Sequence, residues 1–330
     1  MSTLTDPGYP TLLNVMKSLA PDGSPEMMIA NTLTKKLPLL KDIPWVEGNL
    51  PTGDRVTSVL GLPSPTWRKA NQGVAPTKVE NNQFDESCGL LEDYSKVDVQ
   101  VAALNGNPAA YRASQDKVKQ EMFSQELERA VFYESAVSHP ERIHGLTARY
   151  PASTGYTSSN YVMPVGTLSG TNCESVWYIA WDPERICGIF PRGSKAGLEY
   201  EDLGKLLVPD QNNLQFLAWV SHYVWKCGIR VKDYRYAVRM QWDPDDATNF
   251  ADNGKQMYLS MQNMLTQVFE RLPSGRFYLS RTSFKKLTAQ LAANSTNYLQ
   301  YIADGNEMIP SFLGTPIRIT DSLVGESAIS

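Results

Sequence analysis

Residues 44–76 read PWVEGNLPTGDRVTSVLGLPSPTWRKANQGVAP, and the fold turns on what such a segment can be. It carries Trp45, Val56, Val59, Leu60, Leu62 and Trp67 among four glycines and five prolines. Proline removes backbone donors and glycine loosens the chain, so a helix is excluded. Val56, Ser58 and Leu60 alternate with Thr57, Val59 and Gly61 at the period of a strand, and LPSP supplies turn chemistry. The expectation is a long two-stranded excursion whose return arm runs through Thr66, Trp67 and Arg68. An isolated ribbon is marginal in water, so it either covers its own domain or lies against another molecule.

Downstream, Asn107 is a helix cap and Pro108 suits the first helical position. Tyr111, Val118, Met122, Phe123, Leu127, Ala130 and Val131 form one broad apolar stripe, with Arg112, Gln115, Lys119, Gln120, Glu126 and Arg129 mostly elsewhere. A helix from Pro108 to Ser135 would be about 42 Å long, a spine rather than a connector.

The 330 residues, 42% hydrophobic, can bury a large core and are long enough to split into two subdomains. A net charge of -4 and a pI near 5.5 argue against an extended basic surface gripping phosphate backbones. No apolar run reaches membrane-spanning length, and MSTLTDPGYPTLLNV lacks the layout of a signal peptide, so cytoplasmic synthesis is expected. Cys88, Cys173, Cys187 and Cys227 are too scattered for a zinc or redox motif and read as reduced, packed thiols. The sequon Asn294-Ser295-Thr296 has no meaning without secretion.

The second half reads as mixed α and β. Trp177 to Trp181 and Ile186 to Phe190, joined by DPER, have the pattern of a hairpin, and Phe216 to Trp242 that of a longer strand pair. In its second member Tyr234, Tyr236, Val238, Met240 and Trp242 face one way and Asp233, Arg235, Arg239 and Gln241 the other. One helix is expected from Gly254 to Leu272 on Met257, Met261, Met264, Leu265, Val268 and Phe269, a methionine stripe that reads as core. A second, capped by Thr282 and Ser283, uses Phe284, Leu287, Leu291, Tyr298 and Ile302 and ends before Gly305.

Motifs of catalysis are scarce. His139, His144 and His222 have no ligand spacing. Cys173 with His222 is the least poor nucleophile and base pair, yet no local signature supports it. Gly193-Ser194-Lys195 lacks the frame of a phosphate loop, and Asp243, Asp245 and Asp246 sit in a WDPDD turn before they are a cation site. These residues predict no catalytic, cofactor or metal site.

The run RFYLSRTSFKKLTAQL, Arg276 to Leu291, and the later FLGTPIRITDSLV, Phe312 to Val324, resemble the closing segments of tailed-bacteriophage major capsid proteins. The matching residues are Ser280 and Arg281, then Gly314, Pro316, Ile317 and Asp321. Residues 44–74 and the segments SCGLLEDYSKVD, LNGNPAAYR, GIFPRGSKAGLEYEDLG and DYRYAVRM are similar, in order, to the branch found in short-tailed, podovirus-type phages. Together they span most of the chain.

The resemblance implies an α+β Johnson fold: an N-terminal arm over residues 1–43 (Pro7 to Ile43 its core), an extended loop over 44–80, the spine helix and the start of a peripheral domain over 81–160, and the remaining peripheral and axial domains over 161–330, with a strand topology that can be permuted. It implies a structural coat protein assembling as hexamers and pentamers into an icosahedral shell around double-stranded DNA. The implied partners are other copies of itself, a portal protein and a cement or decoration protein, with no membrane. The chain has no long acidic helical prefix, so a separate scaffolding protein is expected. Trp45, Val56, Leu60, Trp67 and Arg68 are the candidate inter-subunit contacts. Lys69 and Lys78 are present but no acidic catalyst is identifiable, so non-covalent shells are predicted. Non-specific DNA contact would use Arg112, Lys117, Lys119 and Arg129, interspersed with Asp116, Glu121, Glu126 and Glu128; a solvated helix face is the competing reading. The competing functions are an α/β enzyme using Cys173 and His222, or another oligomeric virion part such as a portal.

Overall fold

The computed structural model describes residues 37–61, 63–104, 106–210, 212–245, 256–293, 299–304 and 307–329. Most of the expected N-terminal arm, the sequon and the start of the methionine helix lie outside them. A short helix α1 (Leu39–Asp42) leads into strand β1 (Trp45–Glu47), then β2 (Gly53–Gly61), β3 (Glu80–Ser87) and β4 (Gly89–Asp98). Helix α2 (Val99–Leu104) precedes the long helix α3 (Pro108–Tyr133). The Asn107 side chain accepts from the Ala110 amide at 3.2 Å, and Pro108 follows it, so α3 starts where its capping chemistry directs.

Two sheets receive α3. The first is built around β9 (Gln215–Val231), 17 residues long, which pairs antiparallel with β4 from Ala218 to Cys227 and with β8 (Leu198–Pro209) from Gln215 to Trp225. At its far end β9 pairs with β7 (Ile186–Phe190), which takes β1 in parallel on its other side. The second sheet has seven strands in the order β12-β13-β14-β11-β6-β10-β5. These are β5 (Val162–Val165), β6 (Glu174–Ala180), β10 (Ala237–Trp242), β11 (Gly275–Leu279), β12 (Leu299–Asp304), β13 (Glu307–Phe312) and β14 (Thr315–Ile319). Helices α5 (Gln256–Gln267) and α6 (Arg281–Ala293) belong to this half. Its core joins Met257, Met261, Met264 and Leu287 to Trp177, Trp242, Phe277 and Phe312. The C-terminal third of α3 enters the same core through Leu127, Val131 and Phe132. No helix among the described residues is long and apolar enough to cross a membrane.

Several expectations are corrected, each for a physical reason. The 177–181 and 186–190 segments are not a hairpin: β6 pairs with β10 and β11, β7 with β1 and β9. Asp182 to Arg185 still makes the turn, but both strands are buried on both faces except at one end residue each, and a strand apolar on both faces carries no alternation to reveal its partner. Likewise β9 and β10 lie in different sheets, and the second face of β10 is not solvated. Arg239 and Gln241 are buried because the C-terminal segment covers them: Glu326 binds Arg239 at 2.6 Å, and Gln241 exchanges hydrogen bonds with the Ser327 carbonyl and the Ile329 amide.

The helix expected to reach Gly305 stops at Ala293, and Leu299–Asp304 is an edge strand instead. Its cap is Ser280, whose Oγ accepts from the Ser283 amide at 3.0 Å, not Thr282 or Ser283. On α3 the single stripe fails at Val118 and Met122, which are 58% and 46% exposed. Tyr111 packs in a small cluster with Val97 and Ala102, whereas Phe123, Leu127 and Val131 are buried on a different face of the helix, so Val118 and Met122, in line with Tyr111, are left uncovered.

Candidate functional site

The ribbon of β2 and β3 is antiparallel from Gly53↔Ser87 to Gly61↔Glu80, with a register shift between Val59 and Gly61. The returning strand therefore lies at residues 80–87, not at Thr66 to Arg68 as expected. Residues 63–79 form an exposed loop between the strands, with a small turn in which Arg68 donates to the Gln72 carbonyl and the Gln72 side chain accepts from the Lys69 amide. Proline and glycine stop this stretch from joining the ladder.

A free two-stranded ribbon would not hold its angle, and the root of this one is clamped. Asp54 and Glu86 stand directly opposite each other across the strands and are both buried. Two facing carboxylates repel unless each is neutralised. Arg149, on the short helix α4 (Leu146–Arg149), binds Glu86 through two 2.6 Å hydrogen bonds, and also donates to the carbonyls of His144 and Ile229. Arg230, on β9, binds Asp54 at 2.6 Å and donates to the Pro183 carbonyl. The planar guanidinium suits this paired recognition, and removing either partner would strand a buried charge. Gly53 lets the strands close here: a Cβ on it would lie 1.9 Å from the Glu86 carbonyl oxygen. Further out, Arg55 and Asp85 form an exposed two-point pair that holds the Asp85 carboxyl below its ordinary range. A cleft of about 760 Å³ lies between ribbon and body, with Phe84, His144, Tyr161, Lys232 and Tyr234 in its walls. Burial pushes the His144 imidazole down.

The five candidate contacts separate. Trp45 is in β1, half-buried on the core, with its ring so close to Gly188 that a Cβ there would meet it at 2.5 Å. Val56 is 1% exposed within its own subunit. Trp67 is fully exposed and Arg68 is exposed beside it. The side chain of Leu60 lies outside the described residues. Of the candidates whose side chains are described, Trp67 and Arg68 are the ones in the open. The root residues Asp54, Glu86, Arg149 and Arg230 were missed by sequence reasoning, since Arg149 and Arg230 are distant in sequence and carry no local signal.

The catalytic alternative gains no geometry. Cys173 is buried, bridged to Glu326, its thiol pushed up by burial. His222 lies in the other sheet, stacked on Tyr94 at 4.5 Å and hydrogen-bonded to Glu92 at 2.6 Å. Gly193 and Ser194 form a turn whose Gly193 amide donates to Glu47. Asp243 accepts from Ser169 and from the Asp245 amide, and Asp245 from Asn172, which is turn chemistry; Asp246 lies outside the described residues. On α3, Arg112 pairs with Asp202, Lys119 with Asp93, and Arg129 with Glu126 and Glu134, while Lys117 is exposed.

The C-terminal residues that carried the resemblance lie in neighbouring elements, since β11, which runs up to Ser280, pairs in parallel with β14, which holds Pro316 and Ile317. Ser280 caps α6 and donates to Glu174; Arg281 binds Asp321 through both oxygens at 2.5 and 2.9 Å. Leu313 and Gly314 both take positive φ in the turn between β13 and β14, a conformation glycine adopts freely.

Comparison with known proteins agrees with this architecture. A family model described as major capsid protein GP7 matches residues 20–329. The fold is shared with a protein of bacteriophage Epsilon15 in a near-atomic structure derived from cryo-EM, at 24% identity and a TM-score of 0.78 over 100% of this chain and 99% of that one. It is shared also with the bacteriophage JBD30 capsid, at 9% identity and a TM-score of 0.52 over 92% and 96% of the two chains. No curated protein matches the sequence.

Proposed function

The chain belongs to the major capsid protein GP7 family, a structural coat protein of the virion, and from that premise we propose how it builds a shell. Copies assemble as hexamers and pentamers into an icosahedral capsid around double-stranded DNA, without catalysis. Residues 1–43 serve as the arm, 44–80 as the extended loop, 81–160 as the spine and the start of the peripheral domain, and 161–330 as the rest. The observation that carries the reading is the contrast within the ribbon: its root is anchored by two buried ion pairs, and its tip presents a bare tryptophan. A rigid base with an unsatisfied aromatic end is the form of an element that reaches across a neighbouring subunit.

Trp67 anchors that contact and Arg68 flanks it, whereas Trp45 and Val56 act within the subunit. A separate scaffolding protein directs assembly in the cytoplasm of the host bacterium, a portal occupies one vertex, and a cement or decoration protein binds outside. Contact with DNA is weak and non-specific, because three of the four spine cations are already paired within the chain.

The test is assembly of the full chain, co-expressed with its scaffold and followed by sedimentation and electron microscopy. Wild type should give large shells. Trp67→Ala should remain soluble and fail to close them. Normal shells from the variant, or an unfolded variant subunit, would refute the contact; a small closed ring from wild type would favour a portal or an enzyme instead.

A further inference from the structure

The spine helix buries one carboxylate that no cation among the described residues answers. Glu128 is 0% exposed, at the place where α3 meets α1 and the segment following β14. Its Oε1 accepts from Thr320 Oγ1 at 2.5 Å, and its Oε2 has no hydrogen-bond partner. The amides of Leu39 and Leu40 and the Ser322 hydroxyl lie near enough to favour its charged form. The charges on the surrounding elements are engaged elsewhere: Asp42 with Arg318, Asp321 with Arg281, and Arg129 with Glu126 and Glu134. Lys41 is exposed. A buried carboxylate that faces neutral donors but no cation is poorly compensated as an anion and well tolerated as a neutral acid.

We propose that Glu128 is a proton-controlled latch that fastens α1 to the spine helix and the C-terminal segment. Burial raises this carboxyl to about 7, outweighing the lowering by Thr320, Leu39, Ser322 and Leu40. A carboxyl raised in the closed state favours closure when protonated. The latch is therefore at full strength below the ordinary carboxylate pKa, weakens as pH rises from there to about 7, and changes little beyond. The proposal concerns the subunit alone and stands or falls apart from the shell reading.

Hydrogen exchange of the full-length soluble subunit, corrected for intrinsic rates, tests it. Protection of the amides of residues 39–43 should fall about tenfold between pH 6 and pH 8. Glu128→Gln, which keeps the shape and removes the charge, should abolish that dependence. Thr320→Val, which removes the hydroxyl that favours the anion, should move the transition to higher pH; a purely structural Glu128 would not shift it. Equal protection of wild type at both pH values, an undiminished fall in the glutamine variant, or an unmoved transition in the valine variant would overturn the latch.

Discussion

Replacing Arg149 by alanine leaves the Glu86 carboxylate buried, with Asp54 opposite it and its two-point partner gone. Breaking one side of such a pair costs about 3–5 kcal/mol, so urea unfolding of the soluble subunit should show a loss of that size. Replacing both residues by apolar groups, Glu86→Leu with Arg149→Met, should recover most of it, because no charge is then stranded. Trp67→Ala, at a fully exposed position, should change subunit stability by less than about 0.5 kcal/mol. The two sites thus divide by their readouts. Arg149 is felt in unfolding and Trp67 in assembly.

At the scale of the element, the spine helix ends on a second charge cluster. Glu134, its C-cap residue, is disfavoured as an anion by burial, but Arg142 and Arg129 outweigh that and hold the carboxyl below its ordinary range. A carboxyl lowered in the folded state stabilises the fold above the unfolded-state pKa and loses that contribution as pH falls through the folded value. The helix end should accordingly weaken below about pH 4. Glu134→Gln should be less stable than wild type at neutral pH and lose less between pH 5 and pH 3, as read by thermal unfolding across that range. The opposite slope would assign the cluster to surface decoration.

For the whole molecule, the proposed shell is held by surfaces rather than by bonds between chains. Mature particles boiled with reductant should run on denaturing gels as a single band at the 36.8 kDa monomer mass; a ladder of multimers would show covalent joining. Isolated subunits should bind DNA weakly, without sequence preference, and lose it as salt rises. With Arg112, Lys119 and Arg129 neutralised by their own chain, few counterions are released on contact. Tight binding at high salt would contradict the coat role.

Local chemistry determined a good part of this protein by itself. Asn107 and Pro108 mark the start of the spine helix and the broken run at 44–76 marks an excursion that cannot be a helix, because caps, turns and strand periods act between near neighbours; the family was legible only through resemblance. Strand partners were decided only in three dimensions. Strands β6 and β7 are buried on every side, so their residues record burial and not which neighbour supplies it. The polar side chains Arg239 and Gln241 look solvent-facing along the strand and are buried by a tail nearly ninety residues downstream. The ribbon's anchors are likewise tertiary. Asp54 finds its cation 176 positions away and Glu86 finds its own 63 positions away, and no pattern in a linear chain encodes a charge pair whose partners are brought together only by packing.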